Sequence, residues 1–154
     1  MTRFTSYAEA DELLDDPTTV HVELVLPSTV SDAWELLVSC PELWLGDAVR
    51  IEPTGRYAVD GCLDSEHARG RIEEVVMLER IVFTWQPDSW DRPALVEIAG
   101  IDAGERSTRV SAYVEDVPEH VSQAAVTAHW QAALDRLVAP AATSPEESPA
   151  WHAA

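Results

Sequence analysis

The stretch from about Pro118 to Val138 constrains the fold more than any other. Val126, Trp130, Leu134 and Leu137 fall at i, i+4, i+8 and i+11, one apolar stripe of a 3.6-residue period. Almost everything between Ala48 and Val114 reads as strand. A lone amphipathic helix following a run of strands must bury its stripe on the sheet they form, so a curved sheet around one helix is expected. Ala124, Ala125, Ala128, Ala132 and Ala133 flank the stripe with side chains too small to fill the space such a sheet would enclose. The helix is expected to start at Asp116, with Glu119 three residues on in a capping-box-like pattern and proline in the first turn.

The strands are marked by period-2 alternation and turn chemistry. Thr19 to Leu26 alternates Val20, Val22, Leu24 and Leu26 against His21 and Glu23, the pattern of a half-buried strand. After Pro27-Ser28, a short helix runs from Ala33 to Val38 with Trp34, Leu37 and Val38 on one face; Cys40-Pro41 ends it, and Glu42 to Gly46 reads as one further turn. Strands are then expected at Val49–Glu52, Arg56–Asp60, Ala68–Met77, Arg80–Gln86, Ala94–Ile101 and Ser107–Glu115. The short connections imply antiparallel neighbours. The fold class is therefore α+β: a curved antiparallel sheet of six or seven strands around a long C-terminal helix, with two short helices after the first strand. Residues 1–18, with a short helix at Tyr7 to Leu14, are expected to be an extension. Residues 19–139 form the domain, and residues 140–154 a flexible acidic tail.

Composition excludes several functions. With 28 acidic against 10 basic side chains the net charge is -18, which repels phosphate backbones and anionic lipid, so neither nucleic acid nor membrane is an expected partner. No run approaches the roughly 18 apolar residues of a membrane span, and no signal-peptide pattern opens the chain, so a cytoplasmic location is expected. Cys40 and Cys62 lack metal-ligand spacing and read as reduced thiols. His21, His67, His120 and His129 are scattered over different elements, without HxH or HExxH spacing, so no metal is expected. No nucleophile elbow, phosphate loop or dinucleotide fingerprint occurs, and no cofactor is expected. Glu73, Glu74 and Glu97 sit on strands, where a carboxylate marks the solvent face.

Five stretches in this order carry a resemblance: Leu26 to Leu37 (LPSTVSDAWELL), Gly70 to Val75 (GRIEEV), Glu79 to Trp85 (ERIVFTW), Ser107 to Val110 (STRV) and His129 to Leu137 (HWQAALDRL). Together they span roughly residues 19 to 139. The chain resembles the START-like (SRPBCC) superfamily, and within it the branch named for the activator of the heat-shock chaperone ATPase. Two positions depart from the pattern. Many relatives have glycine where this chain has His129, and a Gly-Gly pair where it has Thr54-Gly55.

The resemblance implies a helix-grip fold, with an apolar cavity between sheet and helix that binds apolar metabolites, polyketides among them. Trp44, Tyr57, Phe83, Trp85, Trp90, Val126 and Trp130 are the candidate ligand-binding residues, each weighed against a role as ordinary core. Trp90 stands in a polar loop, Gln86 to Pro93, where a large ring suits a cavity mouth or a partner surface. No catalytic residue is assigned; His129 is the one titratable group to test, against the reading of a solvated helix histidine.

The expected function is binding or sequestration of an apolar or aromatic small molecule, including antibiotic self-resistance, by a monomer or weak homodimer, with binding favoured over catalysis and the choice between them left open. The alternatives are a polyketide cyclase or dehydratase and a chaperone-ATPase-activator-like interaction protein.

Overall fold

Backbone hydrogen bonding sorts the described residues into one sheet and three helices. The structure, a computed structural model, describes residues 19–47, 49–60 and 67–142. The strands are β1 (Val20–Leu26), β2 (Arg56–Val59), β3 (Ala68–Val76), β4 (Arg80–Pro87), β5 (Ala94–Gly104) and β6 (Ser107–Glu115). They form a six-stranded antiparallel sheet in the order β1-β6-β5-β4-β3-β2. Consecutive strands from β2 to β6 pair antiparallel with one another, and β1 closes on β6 with Val20 opposite Val114 and Leu26 opposite Thr108. The helices are α1 (Val30–Ser39), α2 (Gln123–Asp135) and α3 (Val138–Ala142), with a 3-10 turn at Pro41–Leu43 after α1.

Alternation sets the two faces of the sheet. On β4, Ile81, Phe83 and Trp85 are at most 1% exposed and point to the core, where they meet the α2 stripe. That stripe, Val126, Trp130, Ala133, Leu134 and Leu137, is fully buried. Ala124, Ala125, Ala128 and Ala132 are exposed, so they do not floor the interior; at 100° per residue they lie on the far side of the helix from Val126 and Trp130.

Three expected details are corrected. No strand forms at Val49–Glu52, because turn bonds from Glu52 N to Arg50 O (3.1 Å) and from Gly55 N to Glu52 O (3.1 Å) use the backbone groups a ladder would need. The C-terminal helix does not start at Asp116. That residue adopts φ 67°, turning the chain out of β6 and burying Val117 and Pro118 before the helix begins. Ser122 is the N-cap, and its hydroxyl accepts from Ala125 N at 3.2 Å. The helix breaks after Asp135 and resumes as α3, since Pro140 has no N–H for the Arg136 carbonyl four residues back and its ring crowds that group.

Glu97 is also not on a solvated surface. It is 9% exposed, on the outer face between Val82 of β4 and Tyr113 of β6. Glu73 and Glu74 are exposed. Cys40 is a free, half-buried thiol, whereas Cys62, the Tyr7–Leu14 helix and the acidic tail from residue 143 onward lie outside the described residues. No helix among the described residues is long and apolar enough to cross a membrane.

Candidate functional site

The space between the sheet and α2 is built of rings. Phe83 sits at the centre, 5.7 Å from Trp44, 6.0 Å from Tyr57 and 6.0 Å from Trp130 between ring centroids. Trp85, two residues along β4 on the same face, meets Trp130 edge-on at 5.1 Å and Trp90 edge-on at 5.2 Å. Such tilted and edge-to-face pairs match the positive ring edge to the negative face and add about 0.5–1.5 kcal/mol each beyond burial. The structure thus brings six of the seven candidate ligand-binding residues, Trp44, Tyr57, Phe83, Trp85, Trp90 and Trp130, into one array. Val126 is buried in the same core, one turn up α2 from Trp130.

Trp90 is not a surface residue. The turn bond from Trp90 N to Pro87 O (2.9 Å) and the Gln86 side chain donating to Trp90 O (2.9 Å) fold the loop back, leaving the ring 4% exposed against Trp85. Among the described residues, the large apolar side chains that are exposed are Val25, Met77, Leu78, Ile101 and Val138, on other elements.

Polar handles within the array are unequally satisfied. Trp44 Nε1 donates to Leu37 O at 3.0 Å, and the Tyr57 hydroxyl donates to Thr84 O at 2.5 Å. Trp130 Nε1 is buried and has no acceptor, a cost the folded chain carries.

The interior opens at one end of α2. A pocket of about 260 Å³ is lined by Trp85, His129, Leu45, Gly46 and Val59, with Glu42, Asp47, Asp60 and Arg136 at its rim. Gly46 is required there, because a Cβ would lie 2.2 Å from Val59 Cγ1. Arg136 Nε donates to Leu43 O at 2.6 Å and ties the end of α2 to the turn that carries Leu45 and Gly46.

His129 lies on the edge of the apolar stripe, where it faces this opening and is not free in solvent. Its ring stacks on Trp85 at 5.1 Å and 25°, and meets Trp130 edge-on at 5.1 Å. Burial holds its pKa down to about 4, and the Arg136 guanidinium adds to the effect. The imidazole is therefore neutral at pH 7. Burial and the nearby Glu42 and Glu35 push the Cys40 thiol pKa up, which disfavours its thiolate. Of the remaining histidines, His21 stacks on Tyr113 at 4.2 Å, and His67 pairs with Asp60 at 2.8 Å. Among the described residues no group of three His, Cys, Asp or Glu side chains is placed to hold a metal ion.

The rim residues Glu42, Asp47, Asp60 and Arg136 and the tight Gly46–Val59 contact went unread in the sequence. They come from three separate segments, and only Gly46 carries a one-dimensional signal.

Residues 29–142, most of the chain, match the family described as Activator of Hsp90 ATPase homolog 1-like protein. The chain belongs to that family. Solved structures agree on the fold. DynU16, a protein in the dynemicin biosynthetic locus, superposes with a TM-score of 0.67 at 19% identity over 79% of this chain, which spans only 46% of DynU16's length. CalU16 from Micromonospora echinospora gives a TM-score of 0.64 at 20% identity, covering 88% of this chain and 86% of CalU16. The Aha1 dimer from Colwellia psychrerythraea gives 0.61 at 10% identity, covering 78% of this chain and 92% of that one. At these identities the likeness establishes the START-like, helix-grip fold of the family and no more. No curated protein matches the chain significantly.

Proposed function

We propose that the protein binds a planar aromatic small molecule at the opening between α2 and the sheet, holding or sequestering it without chemical change. One observation carries this reading: the stacked Trp85 and His129 both line a pocket of about 260 Å³, and Trp130, whose buried Nε1 has no acceptor, packs edge-on against both rings just behind it. An aromatic ligand extends the stack, and a carbonyl or phenol oxygen that reaches Trp130 Nε1 relieves a buried donor. A polyketide-type metabolite has this combination of flat rings and oxygens. DynU16, whose fold this chain shares, lies in the dynemicin biosynthetic locus, a setting in keeping with a role of this kind.

Catalysis by a cyclase or dehydratase is less well supported. A histidine with a pKa near 4 is a weak base at neutral pH, and among the described residues no hydrogen bond fixes the tautomer of His129. Chaperone activation loses the surface expected of it at Trp90, which is buried.

The test is a tryptophan-fluorescence titration with an anthraquinone panel, paired with native mass spectrometry of protein purified from its own host. Saturable quenching that is lost in His129→Ala, or a co-purified aromatic mass, supports the reading. A ligand-free spectrum together with no quenching by any panel member overturns it.

A further inference from the structure

The convex side of the sheet, opposite α2, carries a second feature unrelated to the ring array. A depression of about 570 Å³ is lined by Arg56, Arg69, Arg71, Thr84, Gln86 and Pro93, together with Tyr57, Ala58 and Gly70. Three of the ten basic residues of a chain with net charge -18 meet at this one place.

The cause lies in the strand register. Arg56 of β2 stands directly opposite Arg71 of β3, and Arg69 stands opposite Ala58 and Gln86. Residues opposite one another on one face have Cβ atoms about 5 Å apart, and those two apart along a strand about 7 Å, so three guanidinium stems form a small triangle. Like charges directly opposite destabilise a sheet. The neighbouring acids do little to offset this. Arg71 Nε is 4.0 Å from Glu73, and Arg69 reaches Asp88 at 3.6 Å with both side chains more than half exposed. Arg56 has no acidic partner among the described residues. By contrast, Arg80 Nε donates to Glu74 at 3.2 Å.

The floor is built by a gap in the ladder. β3 and β4 pair at Arg69–Gln86 and at Ile72–Phe83, but not between. There the Tyr57 hydroxyl donates to Thr84 O, and Arg71 N donates to Thr84 Oγ1 at 2.9 Å. Gly70 makes this possible, because a Cβ on it would lie 1.9 Å from Thr84 O and 2.6 Å from Tyr57 Oη.

We propose that this depression binds the phosphate group of a small phosphorylated molecule, held by Arg56, Arg69 and Arg71. Guanidinium forks match phosphate oxygens in pairs, and the anion converts a repulsive Arg56–Arg71 pair into a shared clamp. The ligand is small because the charge of -18 opposes nucleic acid and anionic lipid surfaces. The site goes beyond the aromatic-ligand reading and stands on the other side of the sheet.

Pyrophosphate is titrated into the full chain at constant ionic strength, with the arginine Nε–Hε resonances followed by NMR and the melting temperature followed in parallel. The expected result is saturable movement of Arg56, Arg69 and Arg71 with Arg80 and Arg109 unmoved, and a melting temperature raised by pyrophosphate but not by matched chloride. In R56Q/R71Q affinity falls about tenfold or more, since two charge-assisted contacts are gone. That variant is expected to melt no lower than the parent in phosphate-free buffer, because it removes a like-charge pair. Uniform shifts of all arginines, an equal response to chloride, or unchanged affinity in R56Q/R71Q overturns the proposal.

Discussion

The imidazole of His129 lies 5.1 Å from the indole of Trp85, with the two planes 25° apart, where the closing helix meets the open edge of the ring array. The contact couples a titratable group to the packing of the core. It also bears on acid stability.

Because the folded-state pKa of His129 is lowered from 6.5 to about 4, the unfolded chain takes up its proton first as pH falls. The contribution is fully present above pH 6.5 and is lost progressively between pH 6.5 and about 4; it amounts to up to about 3 kcal/mol. Urea unfolding at pH 7.5 and pH 4.5 should show this loss in the parent and a smaller one in His129→Gln. An NMR titration in which the His129 ring protons shift near pH 6.5 would contradict the burial on which this rests.

Trp130 separates packing from polarity. Trp130→Ala leaves a large void against Phe83 and Trp85 and is expected to cost about 3–5 kcal/mol. Trp130→Phe keeps part of the ring area and removes a donor that has no acceptor, so its cost should stay near about 1–2 kcal/mol. Chemical denaturation of both variants measures the difference; equal costs would mean that Nε1 has a partner.

Tyr57 and Gly70 form a second pair. Tyr57→Phe strips the donor from Thr84 O at the ladder gap and should cost about 1–2 kcal/mol. Gly70→Ala places a methyl 1.9 Å from that same carbonyl, which is backbone and cannot swing aside, so thermal unfolding should show a larger loss, about 3 kcal/mol or more.

Thr54 sits at φ 65°, a region where a β-branched residue is strained. Its backbone N–H still donates to Ile72 O at 2.8 Å, a bond glycine retains. Thr54→Gly should therefore stabilise the protein by about 0.5–1 kcal/mol, since relief of the left-handed strain exceeds the entropy glycine costs. For a chain of this size that is a melting-temperature rise of about 1–4 °C. A fall in melting temperature would show that strain at this turn is not the dominant cost.

The amino-acid order by itself determined which faces are buried. The stripe through Val126, Trp130, Leu134 and Leu137 and the alternation along β1 and β4 are local periodicities, each readable within about a dozen residues. With the turn residues between strands they were sufficient for an antiparallel sheet packed on one closing helix and for five of the strands that follow the first helix, though not for the loop at Val49–Glu52. Helix boundaries were less legible: the start at Ser122 depends on Asp116 turning the chain, and the break after Asp135 on Pro140.

Only the tertiary structure decided what meets what. The Trp85–His129 stack joins positions 44 residues apart, and the rim of the opening draws on Glu42, Asp47, Asp60 and Arg136. Trp90 looked like a surface ring because its neighbours are polar, yet a single turn bond lays it on Trp85. The Arg56–Arg71 pairing follows from strand register, which hydrogen bonding across β2 and β3 sets. Periodicity encodes burial; convergence, desolvation and the resulting shift in the His129 proton equilibrium are properties of contacts between distant segments.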